Sequence, residues 1–253
     1  MWDEPYSLSI QDNSFIIEEA FNQEAGVVQH ISTYQYFPTS DRRFALSFTQ
    51  EWPLWGMAHQ FSYQLSYAGI DRGEITGIGD IMLNYRYQLL EKESGVAISP
   101  RVSVILPSGN AAKGLGVGVV GYEVCLPASR RVSERFVVHG NLIMTYFPHA
   151  KGKDQAGNEV ARSLPIYIFG GSIIYLATPE LNIMLEAVHR RSGEIDETGE
   201  TAFQAETIVN PGLRTVVNFE NLQIVPGFAV PVRIRSNESE VGIFFYLSFE
   251  HGF

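Results

Sequence analysis

Residues 242–253 read GIFFYLSFEHGF. Ile243, Phe245, Leu247, Phe249 and Phe253 fall on one face, broken by His251. Gly242, Phe244, Tyr246, Ser248, Glu250 and Gly252 fall on the other. A period of two is the mark of a β-strand, here with one apolar and one mixed face. The pattern persists to an aromatic residue at the last position, where soluble domains usually fray into a polar tail.

Working back from this stretch, the same alternation returns. Arg43–Glu51 places Phe44, Leu46 and Phe48 opposite Arg43, Ala45, Ser47, Thr49 and Glu51. Trp55–Tyr67, Asp80–Leu89 and Val96–Leu106 alternate in the same way. Further strand candidates cover 26–37, 117–127, 136–147, 164–176, 181–190, 204–217 and 222–233, with ambiguous parity at 26–37 and 164–176. The C-terminal strand brings the total to twelve, each about 9–13 residues long. A tilted strand crosses a hydrocarbon layer in ~9–11 residues.

The connections alternate too. Phe37–Arg42, Ala68–Gly79, Pro107–Gly116, Pro148–Ser163, Arg191–Thr201 and Ile234–Ser239 are the longer ones, rich in glycine and charge. Pro53–Leu54, Glu91–Gly95, Ala128–Glu134, Ala177–Glu180 and Phe219–Asn221 are mostly shorter. A meander through a bilayer predicts this rhythm, with short periplasmic turns and long extracellular loops. In hydrocarbon every backbone polar group must be paired, so the sheet must close. The fold class is therefore all-β: a single-domain transmembrane antiparallel up-and-down barrel of twelve strands over 26–253. Residues 1–25 form a separate segment, helix-like or extended, that covers the periplasmic mouth, folds into the lumen as a constriction, or is a disordered leader; the sequence leaves all three open.

Composition narrows the alternatives. The 253 residues carry a net charge of −10, which disfavours a nucleic-acid partner. One cysteine, Cys125, excludes an intramolecular disulfide framework and a cysteine-rich zinc site. No stretch of ~18 apolar residues offers a transmembrane helix. Met1-Trp2-Asp3-Glu4 has neither the basic nor the apolar region of a signal peptide, leaving a cytoplasmic protein or a mature exported form. The acidic excess falls in the long loops, at Asp71, Glu74, Asp154, Glu159, Glu194, Asp196, Glu197, Glu200 and Glu238.

Inward parity assigns a lumen. Its charged candidates are Arg43, Glu51, Asp80, Arg86, Arg101, Glu123, Glu186, Arg190, Glu206, Arg214, Arg233 and Glu250. Such a mixture must be paired or wet, either as charge pairs that shape a polar path or as a salt-bridged plug that stabilises a closed barrel. Met82, Phe244 and Tyr246 give the lumen apolar patches, and Ala45, Ser47, Thr49, Gly56 and Ala58 leave room. A passage of this kind suits bulky, moderately hydrophobic solutes. No cofactor, metal site or catalytic set is expected.

The C-terminal strand ending in Phe253 resembles the closing signature of bacterial outer-membrane barrels. Longer segments carry a closer resemblance: NSFIIEEAFNQEAGVVQH (13–30), EWPLWGMAHQFSY (51–63), GIGDIMLNYRYQL (77–89), PRVSVILPSG (100–109), GYEVCLPASRR (121–131), NLQIVPGFAVPV (221–232) and FFYLSFEHGF (244–253). Together these are similar to the outer-membrane channel family labelled MetA-pathway phenol-degradation proteins. The resemblance implies a monomer in the bacterial outer membrane that passes small, bulky or hydrophobic molecules by passive diffusion. Its partners would be membrane lipids, small-molecule solutes and the barrel-assembly machinery, which would read the strand ending in Phe253. No enzymatic activity is implied.

Two other classes remain open. His30 and Ser32 share a strand face, the spacing of a histidine base and serine nucleophile in barrel lipid hydrolases. The asparagine-glycine that follows the serine there is replaced by Thr33-Tyr34. A soluble carrier barrel for small molecules is the second.

Overall fold

The structure, a computed structural model, describes residues 14–38, 43–70, 73–90, 95–236 and 238–253. It contains a closed twelve-stranded antiparallel barrel. The first three strands are β1 (Val27–Phe37), β2 (Arg43–Leu54) and β3 (His59–Ile70). The next two are each broken once: β4 runs over Ile75–Ile78 and Ile81–Tyr87, β5 over Ala97–Ile98 and Arg101–Leu106. Next come β6 (Gly121–Ser133), β7 (Phe136–Lys153), β8 (Glu159–Thr178), β9 (Leu181–Ile195) and β10 (Thr201–Thr215). β11 spans Leu222–Ala229 and Val232–Arg235, and β12 spans Glu238–Val241 and Ile243–Gly252. Each strand pairs with its sequence neighbours. Closure is made by β1 against β12, in register from Val27↔Gly252 to Tyr36↔Ile243. That seam removes the last open edge, which hydrocarbon would not tolerate.

Parity holds along the wall. On β6, Tyr122, Val124 and Leu126 are exposed while Glu123 and Cys125 are buried. On β12, Ile243, Phe245 and Leu247 are exposed while Phe244, Tyr246 and Ser248 are buried. The exposed row continues through Leu83, Val102, Leu142, Met144, Phe169, Ile183, Leu185 and Leu213 on neighbouring strands. A continuous apolar exterior of this extent is not a water-facing surface. It overturns the soluble-carrier alternative, because the apolar residues lie outside and the polar ones inside. The aromatic pairs Trp52–Phe61 and Trp52–Tyr63 lie beside the short-turn end, with ring centroids 6.1 and 5.6 Å apart.

The strands outrun the sequence expectation at one end. Pro148–Ser163 and Arg191–Thr201, expected as long loops, are mostly strand: β7 has 18 residues and β8 has 20. Their hairpins close in tight turns in which aspartate carboxylates accept the turn donors. Asp154 accepts from Asn158 N at 2.8 Å, and Asp196 from Thr198 N at 2.9 Å and Glu200 N at 3.0 Å. Glycine and charge in these stretches mark the turn chemistry alone, and the flanking residues go on pairing wherever backbone partners remain. Asp71, one of the expected loop acids, lies outside the described residues.

Residues 14–26 contain no helix. They run as an irregular strap inside the barrel. Ser14, Phe15, Ile17, Glu19, Ala20 and Gln23 are all buried. Residues 1–13 of the expected N-terminal segment lie outside the described residues.

Candidate functional site

Irregular backbone buried inside a barrel needs partners, and wall side chains supply them. The strap traces an arc along the inner wall. Phe15 sits against β10–β12, where a Cβ on Gly212 or Gly227 would lie 2.5 or 2.4 Å from its ring. These two glycines form the notch that admits it. Phe244 and Tyr246 flank the ring at centroid distances of 5.5 and 5.4 Å. Glu186 on β9 accepts from Ile16 N at 2.8 Å, Ile17 N at 3.1 Å and Asn210 Nδ2 at 2.7 Å. Asn141 on β7 clasps Glu18 from both sides, accepting from its N–H at 2.7 Å and donating to its carbonyl at 2.8 Å. Ala20 N donates to Ser129 on β6 at 2.7 Å. Arg86 on β4 donates to the carbonyls of Glu19 at 3.2 Å and Phe21 at 2.8 Å, and to Asn22 Oδ1 at 3.0 Å. Gln60 on β3 accepts from Gln23 N at 2.8 Å, just before the chain enters β1.

One ion-pair cluster locks the middle of the arc. Arg101 Nη2 lies 2.6 Å from Glu18 and 2.9 Å from Glu123. Its Nη1 donates to Asn84 Oδ1 at 3.1 Å, and Thr145 donates to Glu123 at 2.6 Å. Buried charge of both signs is held by partners on the strap and on three strands, which offsets its desolvation.

Toward the hairpin end, the strap floors a cavity of about 470 Å³. One side carries Thr33, Ala45, Ser47, Thr49, Gln64 and Ser66. The facing side carries Ile168, Val188, Arg190, Glu206, Ile208 and Arg233. Toward the short-turn end, Phe15, Ile174, Leu176, Met184, Val216 and Val225 pack into an apolar cluster.

The fourteen lumen candidates therefore separate into groups. Glu51, Arg101, Arg190, Glu206, Phe244 and Tyr246 reach the cavity. Arg86 and Glu186 bond the strap directly, and Glu123 holds Arg101, which pairs with Glu18 on the strap. Glu51 also accepts from Gln60 at 2.8 Å and lies 3.8 Å from Arg86. Met82 packs beside Ile105, Phe147 and Ala150. Asp80 holds the loop between β5 and β6, accepting from Gly109 N at 2.9 Å and Val117 N at 2.8 Å. Arg214 is buried opposite Asn182, Glu250 stands opposite Gln29 and Gln223 in register, and Arg43 is exposed at the hairpin end. Sequence reasoning missed Asn141, Ser129 and Gln60, whose polar type on inward positions was the available signal. It also missed the Gly212/Gly227 notch.

His30 and Ser32 do not form a hydrolytic pair. His30 Nε2 lies 3.2 Å from His251 Nε2 across the barrel seam, and its ring stacks on Phe249 at 4.4 Å. Register sets His30 opposite Phe249 and Ser32 opposite Leu247, on the apolar outer face of the seam. Among the described residues, no group of three His, Cys, Asp or Glu could hold a metal.

No family model matches the chain, and no curated protein does. Solved structures do match. An outer-membrane channel from Pseudomonas putida F1 superposes with a TM-score of 0.63 at 12% identity, covering 97% of this chain and 100% of that one. The porin NanC gives 0.55 at 8% identity, covering 88% and 98%. The chain has the fold of an outer-membrane β-barrel. At such identities the likeness speaks for the barrel and not for any solute. The fold also occurs in the β domain of the Bordetella autotransporter BrkA, at a TM-score of 0.50 and 12% identity, covering 91% and 100%.

Proposed function

We propose that this barrel is an outer-membrane channel for passive diffusion of small molecules, with bulky or hydrophobic solutes as its preferred class. The observation that carries the reading is the cavity of about 470 Å³ with its hydroxyl and amide side, set inside a wall whose exterior is apolar. Pockets of several hundred Å³ suit molecules of metabolite size. The segments similar to the MetA-pathway phenol-degradation channels support the finer placement, and the likeness in fold to the Pseudomonas channel supports the barrel. We place the chain in the outer membrane as a monomer, with lipids along its exterior and its closing strand read by the assembly machinery. Liposome swelling with purified protein tests the proposal: sugars and apolar alcohols should enter faster than into protein-free vesicles. Swelling no faster than in empty vesicles would rule the channel out.

A further inference from the structure

The arginines around the cavity are not equivalent. Arg101 is held between Glu18 and Glu123 at 2.6 and 2.9 Å. Arg233 lies 3.7 Å from Glu206 and 3.6 Å from Glu240, with its guanidinium 3.6 Å over the Phe37 ring. Arg235 reaches Glu206 at 2.8 Å. Each of these cations is matched by a carboxylate. Arg190 is not. Its Nε donates to Ser192 Oγ at 2.8 Å, and among the described residues no carboxylate forms an ion pair with it. It lines the cavity from β9, with Ile168 opposite it on β8 and Glu206, already held by Arg233 and Arg235, opposite it on β10; Val188 and Ile208 line the cavity beside it.

A guanidinium offers a planar fork of donors that matches a carboxylate in two parallel bonds. It is also weakly hydrated, so it can meet an anion beside apolar groups at modest desolvation cost. We infer that Arg190 is the anion-recognising group of the cavity and that the favoured solute is a small organic carboxylate with an apolar body. The head pairs with the two terminal nitrogens of Arg190. The body lies along Ile168, Val188 and Ile208. A strongly hydrated inorganic anion would gain nothing from that apolar flank. The inference deepens the channel proposal and rests on it only for the route by which solute arrives.

The test is calorimetric titration of the detergent-purified full chain with cyclohexanecarboxylate, cyclohexylmethanol and acetate. The carboxylate should bind about tenfold tighter than either of the others, the scale of one charge-assisted hydrogen-bond pair. Arg190→Gln should weaken cyclohexanecarboxylate binding by about the same factor. Arg162→Gln, in the hairpin where Arg162 pairs with Glu200 at 2.7 Å, should leave it unchanged. Equal affinity for the carboxylate and the alcohol, absence of binding by all three, or an Arg190→Gln chain that binds as well as the parent would overturn the proposal. Acetate binding as tightly as the larger acid would overturn the apolar-body assignment. If Arg190→Gln fails to fold, the three-ligand comparison on the parent chain decides alone. Arg190-dependent binding in a protein that gives no liposome swelling would leave this inference standing and remove the channel reading.

Discussion

The two halves of the lumen are lined by the same alternating rows, yet they end in opposite states. Toward the hairpins, β1–β4 present small hydroxyls and amides to a cavity of about 470 Å³. Toward the short turns, β8–β12 present Ile174, Leu176, Met184 and Val225, and these close around Phe15. The first half is polar and roomy, the second apolar and packed. Inward parity is therefore not the same thing as lining a path. What separates the halves is the strap, which satisfies its backbone on one side of the molecule and leaves empty space on the other.

The largest test of that contrast is to remove the strap. A chain lacking residues 1–23 should show ion conductance in planar bilayers that rises several-fold over the full chain. Unchanged conductance would mean that the strap does not limit passage, and the contrast would lose its functional meaning.

Arg101→Ala comes next. It leaves Glu18 and Glu123 without their shared cation, a loss of about 3–5 kcal/mol for a largely buried pair. The change should appear as a lower unfolding midpoint in urea and as faster proteolysis of residues 14–23. A midpoint equal to the parent's would show that the cluster is solvated. Glu186→Ala should cost somewhat less, about 2–3 kcal/mol, since it strands the Ile16, Ile17 and Asn210 donors but also removes a buried charge. Glu186→Gln keeps an acceptor and should fall between the parent and Glu186→Ala.

The roomy half responds differently. Ala45→Trp places a large ring in the cavity without removing a hydrogen bond. It should slow liposome entry of sugars while changing stability by no more than about 0.5 kcal/mol. A loss of stability without a loss of flux would reverse the assignment of the two halves.

The smallest effect lies at the hairpin tips. Hydrogen bonds from Asn158 hold the Asp154 carboxyl below the usual aspartate range, and those from Thr198 do the same for Asp196. A depressed carboxylate pKa contributes stability that is present above the unfolded value and lost as pH falls through the folded one. Amide exchange at residues 154–158 and 196–200, corrected for intrinsic rates, should therefore speed up below about pH 4. Protection that is flat through that range would disconnect these carboxylates from the turns.

The barrel itself was legible because its signal is local. GIFFYLSFEHGF displays its two faces within twelve residues, and the same alternation recurs wherever a strand has lipid on one side and the lumen on the other. Inward placement of Arg101, Glu123, Glu186 and Arg190 follows from parity alone. The lengths of β7–β9 were not legible, because glycine and charge mark a tight turn and a long loop in the same way. The hydrolase spacing of His30 and Ser32 misled for a related reason: two residues on one strand face need not face each other, and His251 arrives from the far end of the chain.

The sequence by itself determined that the chain closes into a twelve-stranded barrel with an apolar exterior and a charge-bearing interior, because side-chain direction in a strand follows from period two. The tertiary structure decided which inward residues meet space and which meet protein. The bonds that settle this join strap backbone to side chains 37 to 170 residues away, as in Gln23 to Gln60 and Ile16 to Glu186. Contacts at such separations carry no period, so only the folded chain, with every buried donor seeking an acceptor, selects them.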